Sequence, residues 1–331
     1  MPRRLFTQGA GMSSRQLLRL VLFVQALVAC AIGAAAARAG AGPWQAAAIG
    51  LGSVILVRLA INANNFVMSR RAASPTPPEH RLGVAAALRM FGEEFGASML
   101  ASSWYMPRAR PRMRIFPGSS TPPVLLLHGY GCNSGYWAHL AARLDAAGIS
   151  HATLDLEPLT GDIDGFADAI EEGAARLRRA AGAQQVIVIG HSMGGLAARA
   201  WLRRHGSAQA ARVITLGTPH HGTCLAAFGI GINAAQMRRA GIDGPACAWL
   251  SELAAHEDAA TRGRITSIYT HHDNIVAPQT SGHLTGARNI GIGGVGHVAL
   301  GRNRRVLALV LEEIGRVQTS CPIPPVLHGA A

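Results

Sequence analysis

Six short apolar runs, at 124–127, 151–154, 185–189, 212–216, 265–269 and 287–292, alternate with helical stretches, and no other feature narrows the fold as much. The helical stretches are 136–147, 165–181 and 194–205, followed by a longer irregular segment at 222–261. The runs lack the polar alternation of a half-exposed strand, so the sheet they build is buried on both faces. Strands of that kind, separated by helices, form a mostly parallel sheet covered on both sides. The expectation is a doubly wound α/β domain over 122–315, with its site at the carboxyl ends of the strands.

The chemistry is written at those ends. Gly190-His191-Ser192-Met193-Gly194 follows the third run and opens a helical stretch. Strand, sharp turn and helix make the setting of a nucleophile elbow: the turn presents a serine hydroxyl, and the helix dipole favours negative charge beside it. Ser192 is therefore the expected nucleophile. His128-Gly129-Tyr130-Gly131 closes the first run. From there the Tyr130 amide, with that of Met193, could donate to a carbonyl oxygen turning tetrahedral. An ordinary strand-to-helix turn, with His128 as a packing residue, is the alternative.

A serine nucleophile needs a base and an acid to orient it, in the chain order serine, acid, histidine for this fold. Asp273 follows the fifth run and is the sole acidic residue between Asp258 and Glu312. His297 ends the glycine-rich Gly293-Gly294-Val295-Gly296 after the sixth run and is the expected base. His271, His272 and His283 compete for that role but precede the last run. Adjacent histidines such as His220 and His221 point to opposite faces of an extended chain and cannot readily share an ion, so no metal is expected. The segment 222–261 is a cap candidate whose apolar residues either line an acyl pocket or fill a helical layer. His128, His191, His220 and Trp249 are the further pocket candidates.

The N-terminal third has another character. Residues 20–37 include no charge and one polar residue, Gln25. As a helix they span about 27 Å, just enough for a bilayer core. A turn-like Ala39-Gly40-Ala41-Gly42-Pro43 leads to a second apolar run, 44–61, interrupted by Arg58. A membrane hairpin over 1–65 is expected. A cleaved signal peptide is the alternative for the first run, but it would leave the second exposed. Arg3, Arg4, Arg15 and Arg19 precede the hairpin, Arg38 lies at its turn, and Arg58, Arg70, Arg71 and Arg81 close or follow it. That asymmetry places both ends, and the catalytic domain, in the cytoplasm; failure of the second run to insert would place the domain outside. Residues 66–121 hold the Pro-rich 74–78, read as a stiff linker, and an amphipathic helix with Leu88, Phe91, Phe95 and Met99 on one stripe. Segment 107–123, with five prolines and four arginines, reads as irregular, and 316–331 as a tail.

The formal charge of +13 does not point to nucleic acid. All 31 basic residues are arginines, dispersed along the chain without an aromatic-interleaved stripe. Five cysteines among 331 residues are too few for a disulfide scaffold; Cys132, Cys224, Cys247 and Cys321 could be thiols or one or two bridges.

With these motifs in place, 122–315 resembles an α/β-hydrolase. Within that superfamily it is similar to the bacterial triacylglycerol lipase and esterase branch related to GPI inositol-deacylases. The matching text is LLLHGYG (125–131), VIGHSMGG (188–195), VITLGTPHHGT (213–223) and the stretch 268–297 ending in GGVGH. The resemblance implies ester hydrolysis through an acyl-enzyme at Ser192, with His297 and Asp273 completing a triad and no cofactor. A lipid or small-molecule ester is the expected substrate, and the apolar hairpin places the protein at a bacterial inner membrane, with the periplasm as the alternative side for the catalytic domain. Lipases of the branch often hold calcium near the histidine loop, but 274–311 contains no carboxylate to bind it. An acyltransferase using the same triad, and a non-catalytic membrane scaffold or transporter, are the alternatives.

Overall fold

The computed structural model describes residues 12–319; Arg3, Arg4 and Cys321 lie outside them. Seven strands form one sheet in the order β1-β3-β2-β4-β5-β6-β7. They are β1 (Met113–Arg114), β2 (Val124–Leu127), β3 (His151–Leu154), β4 (Val186–His191), β5 (Ala210–Leu216), β6 (Ile265–Thr270) and β7 (Arg288–Ile292). All neighbours are parallel except β1, which runs antiparallel to β3. The six apolar runs thus become β2 to β7. The two-residue β1 was not expected, because it lies in the proline- and arginine-rich 107–123 and both its residues are exposed.

Helices cover both faces. They are α1 (Ser14–Arg38), α2 (Pro43–Arg71), α3 (Val84–Leu100), the single turn α4 (Met106–Arg108), α5 (Ala138–Ala146), α6 (Ala167–Ala181), α7 (Met193–His205), α8 (Ile232–Gln236), α9 (Ala248–Ala255), α10 (Ala259–Gly263) and α11 (Arg304–Thr319). Alternate strand residues feed two separate cores. Leu125, Leu127, Val186, Val188 and Val213 pack with Ile170 of α6 and Leu196 and Trp201 of α7. Val124, Leu126, Ile187, Ile189 and Ile214 pack with Leu140 of α5 and Val306 and Val310 of α11. Each such buried side chain contributes about 1.5–3 kcal/mol, which is why the sheet tolerates no polar alternation.

α1 and α2 form a helical hairpin turning at residues 39–42, and α2 continues past residue 65 to Arg71. Both helices are long and apolar enough to cross a membrane, judged by length and composition. The segment 74–78 is not a free spacer. Ser74 is buried, and its amide donates to Gln279 Oε1 at 3.0 Å. On α3 the residues facing the domain are Met90, Glu94 and Ala97, whereas Leu88 of the expected stripe is exposed. Its companions Phe91 and Met99 turn toward α2, where Phe91 meets Phe66 and Met99 meets Arg58. The helix is as expected; the face it buries is not. Cys132, Cys224 and Cys247 are free thiols, and burial raises the Cys132 pKa to about 12.

Candidate active site

β4 ends in a strained turn. Ser192 has φ 54° and ψ −124°, the sole non-glycine with positive φ among the described residues. Such a conformation costs on the order of 1–3 kcal/mol and persists because its surroundings hold it. The Ser192 amide donates to the Leu216 carbonyl at 2.8 Å, and Thr218 Oγ1 donates to the Ser192 carbonyl at 2.9 Å, so the end of β5 clamps the turn. Met193 opens α7, which leaves its amide without an intrahelical partner.

The loops after β6 and β7 bring Asp273 and His297 together. His297 Nδ1 donates to Asp273 Oδ2 at 2.8 Å, with both side chains about 95% buried or more. Asp273 Oδ1 accepts from the amides of Ile275 and Val276 at 2.9 and 2.7 Å, which fixes the carboxylate. Asn274 Oδ1 takes the His297 amide at 2.9 Å. Gly217, at φ +55°, lies beneath the pair. A Cβ there would stand 3.2 Å from both Asp273 Oδ2 and His297 Nδ1, so the close approach requires glycine. Burial alone would lower the His297 pKa, but the charge of Asp273, its hydrogen bond and the charge of Glu94 outweigh it and hold the pKa above the usual histidine value.

Glu94 escaped the sequence reading. It comes from α3, about two hundred residues before the histidine, and is 1% exposed. Its Oε1 accepts the Val298 amide at 2.9 Å and its Oε2 the Ala299 amide at 2.8 Å. The carboxylate therefore caps the turn that begins at His297. Gly296 permits the approach, since a Cβ there would fall 2.5 Å from Glu94 Oε2. Burial pushes the Glu94 carboxyl above its usual range, and the two amide bonds pull the other way. The available signal was Glu93-Glu94 inside a helix whose one other charge is Arg89, which pattern alone reads as solvated surface.

A cavity of about 280 Å³ opens at Ser192, lined by Tyr130, Leu225, Phe228, Met237, Ile275 and Val276 among others. None of the four further pocket candidates lines it. His128 is buried; its Nε2 accepts the Leu156 amide at 2.8 Å, so Nδ1 carries the proton and donates to the Gly129 carbonyl. His191 stacks on Tyr136, and its Nε2 donates to the His297 carbonyl at 3.1 Å, bracing the histidine loop from behind. Burial, then the charge of His297, keeps its pKa well below the usual value, which leaves it neutral. His220 lies between Thr215, Ser267 and the Arg199–Glu257 ion pair, tying β5 to β6. Trp249 donates to Asp164 Oδ2 at 2.8 Å on the far side of the cap. These polar groups are buried because they brace the strand ends, a role that residue type alone does not separate from substrate contact. Of the competing histidines, His271 stacks on His80, and His272 Nδ1 accepts the Gly294 amide at 3.1 Å. The cap divides likewise: Leu225, Phe228 and Met237 face the cavity, while Leu250 and Leu253 join the core.

The family described as Hydrolase_4, serine aminopeptidase S33, matches residues 119–228, a third of the chain that includes β2 to β5 and the Ser192 turn. Among solved structures the chain is similar to the Bacillus licheniformis lipase BlEst2 in its mature form, at 19% identity over 60% of this chain and 94% of that one, TM-score 0.49. It is also similar to a thermophilic esterase from Thermogutta terrifontis (16%, 63% and 94%, TM-score 0.45) and to the esterase EaEST from Exiguobacterium antarcticum (17%, 62% and 95%, TM-score 0.44). The strand order and this turn are those of the α/β-hydrolase fold, and the family match falls on the part of the chain that holds them.

Proposed function

We propose that the protein is a membrane-anchored serine esterase or lipase acting on carboxylic esters of apolar acyl chains. The observation that carries this reading is the strained Ser192 at the mouth of an apolar cavity, on the same strand ends as the buried His297–Asp273 pair. Ser192 Oγ attacks the ester carbonyl while His297 Nε2 takes its proton. The amides of Tyr130 and Met193 receive the oxyanion. Collapse of the tetrahedral intermediate breaks the ester C–O bond, and His297 returns the proton to the departing alcohol. Water then attacks the acyl-enzyme by the same route, releasing the acid and restoring Ser192. Asp273 holds the tautomer and stabilises the imidazolium.

The cavity lining supports an ester over a peptide. Among the described residues it contains no carboxylate that would pair with a peptide's amino terminus, and Leu225, Phe228, Met237, Ile275 and Val276 suit an acyl chain. Membrane anchoring is supported by the exposed apolar faces of α1 and α2, with Phe23, Leu27, Leu51 and Leu56 all more than half exposed. The arginines at the hairpin base support a cytoplasmic catalytic domain. The test is fluorophosphonate labelling of full-length protein, together with a p-nitrophenyl ester panel from C2 to C16. Ser192→Ala should abolish both signals. A mutant labelled as strongly as wild type removes Ser192 as nucleophile.

A further inference from the structure

The helix that would anchor the protein also reaches its active site. α2 is one uninterrupted helix of 29 residues, and its two halves live in different surroundings. On the outer half Trp44, Leu51, Leu56 and Val57 are exposed, the last three at 59–64%. On the inner half Asn62 and Ser69 are buried, Phe66 packs on Phe91, and Asn64, Asn65 and Met68 line the cavity that holds Ser192. Leu225, Phe228 and Val276 share the lining with these α2 residues. Removing α2 would open the cavity along one side.

The position of this wall is fixed by polar contacts at the hairpin base. Arg58 Nη1 donates to Ser103 Oγ at 2.6 Å, and Arg58 Nε to Gln25 Oε1 at 3.1 Å, which joins α2 to α1 and to the segment after α3. On α1, Arg19 Nε donates to the Pro107 carbonyl at 2.8 Å, and the Ser14 amide to Glu157 Oε1 at 3.0 Å. A hairpin held to the rest of the chain by three of these contacts is no loose tether. It sets how far the cavity stands from the apolar surface. Asn64 is seven residues beyond Val57, about 10 Å along the helix. The polar layer on each side of a bilayer core is roughly 5–8 Å deep, so a membrane whose core ends near Val57 brings its headgroups close to the cavity. Phe228, which borders the cavity beside α2, and its neighbours Ile230 and Ile232 are 58–75% exposed and would meet the same layer.

We infer that α2 forms a selectivity wall of the acyl pocket and that the substrate is an amphiphilic ester residing in the lipid layer, which enters along α2 with its acyl chain leading. This rests on the esterase reading above. Met68 then limits the acyl length the pocket accepts, and Asn64 and Asn65 offer amides to the ester's polar portion at the rim.

The test uses full-length protein in phosphatidylcholine vesicles and the p-nitrophenyl ester panel, with fluorophosphonate labelling as the check on the nucleophile. In Met68→Trp the ratio of C12 to C2 turnover should fall about tenfold or more, because a filled apolar subsite discriminates by such factors. Met68→Ala, which removes bulk while keeping a strong helix former, should shift the length optimum toward longer chains. Profiles matching wild type in both variants, with Ser192 still labelled, overturn the wall while leaving the esterase reading intact. Loss of Ser192-dependent labelling in wild type would sink the esterase reading instead. A second arm embeds 4-methylumbelliferyl oleate in the vesicles and dilutes it with phosphatidylcholine. The initial rate should follow the ester's mole fraction in the bilayer at constant bulk concentration. A rate indifferent to that dilution overturns entry from the lipid layer.

Discussion

Two buried carboxylates approach His297 from opposite regions of the molecule. Asp273 comes from the loop after β6, twenty-four residues away, and meets the imidazole directly. Glu94 comes from α3, outside the sheet, and meets the backbone of the turn that starts at His297. Both raise the His297 pKa, Asp273 by charge and hydrogen bond and Glu94 by charge alone. The difference teaches that positioning of His297, the proposed base, is divided between two elements. One holds the ring, and the other holds the main chain that carries it. A domain lacking α3 would keep the acid and lose the support of the loop.

The largest effect should come from the ring partner. Asp273→Asn keeps the side-chain size but offers an amide that can favour the wrong tautomer. Turnover should fall on the order of 10⁴-fold with KM little changed, and Ser192→Ala/Asp273→Asn should be hardly worse than Ser192→Ala alone. A mutant keeping more than about a tenth of wild-type turnover would move the acid elsewhere, with Asp243 or Glu252 of the cap next to examine.

Glu94→Ala should act on stability first. Two buried amides lose their acceptor, so unfolding free energy should drop by roughly 2–4 kcal/mol in a denaturant titration, with kcat reduced much less than in Asp273→Asn. Equal losses of kcat in the two mutants would erase the distinction between ring and main chain.

Glu94→Gln sharpens it. The loop keeps one good acceptor, but the negative charge is gone, so the His297 pKa should fall and the acid limb of kcat/KM should move to lower pH. A limb that stays in place would reduce Glu94 to a scaffold residue. In the wild type the proposed base, His297, would work only when neutral, and its pKa is held above the usual histidine value. Activity should therefore be lost on acidification earlier than an unperturbed histidine near 6.5 would dictate. A kcat/KM profile over pH 5–9 measures both limbs.

How much of this could be read from the chain varied by element. The strands β2 to β7 were legible because a strand covered on both faces is mostly apolar, without regular polar alternation, and that leaves a run no other structure explains as well. The Ser192 turn was legible because a strained elbow demands glycines at fixed offsets. His297 and Asp273 were selected by chain order and by the scarcity of acids around them, and the fold then brought them to 2.8 Å. The pocket candidates were not legible. A buried histidine that braces two loops has the composition of one that touches substrate, as His128, His191 and His220 all show.

The sequence by itself determined the sheet, the turn that strains Ser192 and the two long apolar helices, because each is specified by residues close together in the chain. Only the tertiary structure decided that Glu94 faces inward under His297 and that Asn64, Asn65 and Met68 stand across from Ser192. Local pattern says that α2 and α3 are helices with apolar faces. It cannot say which stripe meets which partner, since helices of about eight and five turns present several faces of similar hydrophobicity. The choice is made by contacts such as Arg58 with Ser103 and Ser74 with Gln279, whose members lie 45 and 205 residues apart and meet only once the sheet exists.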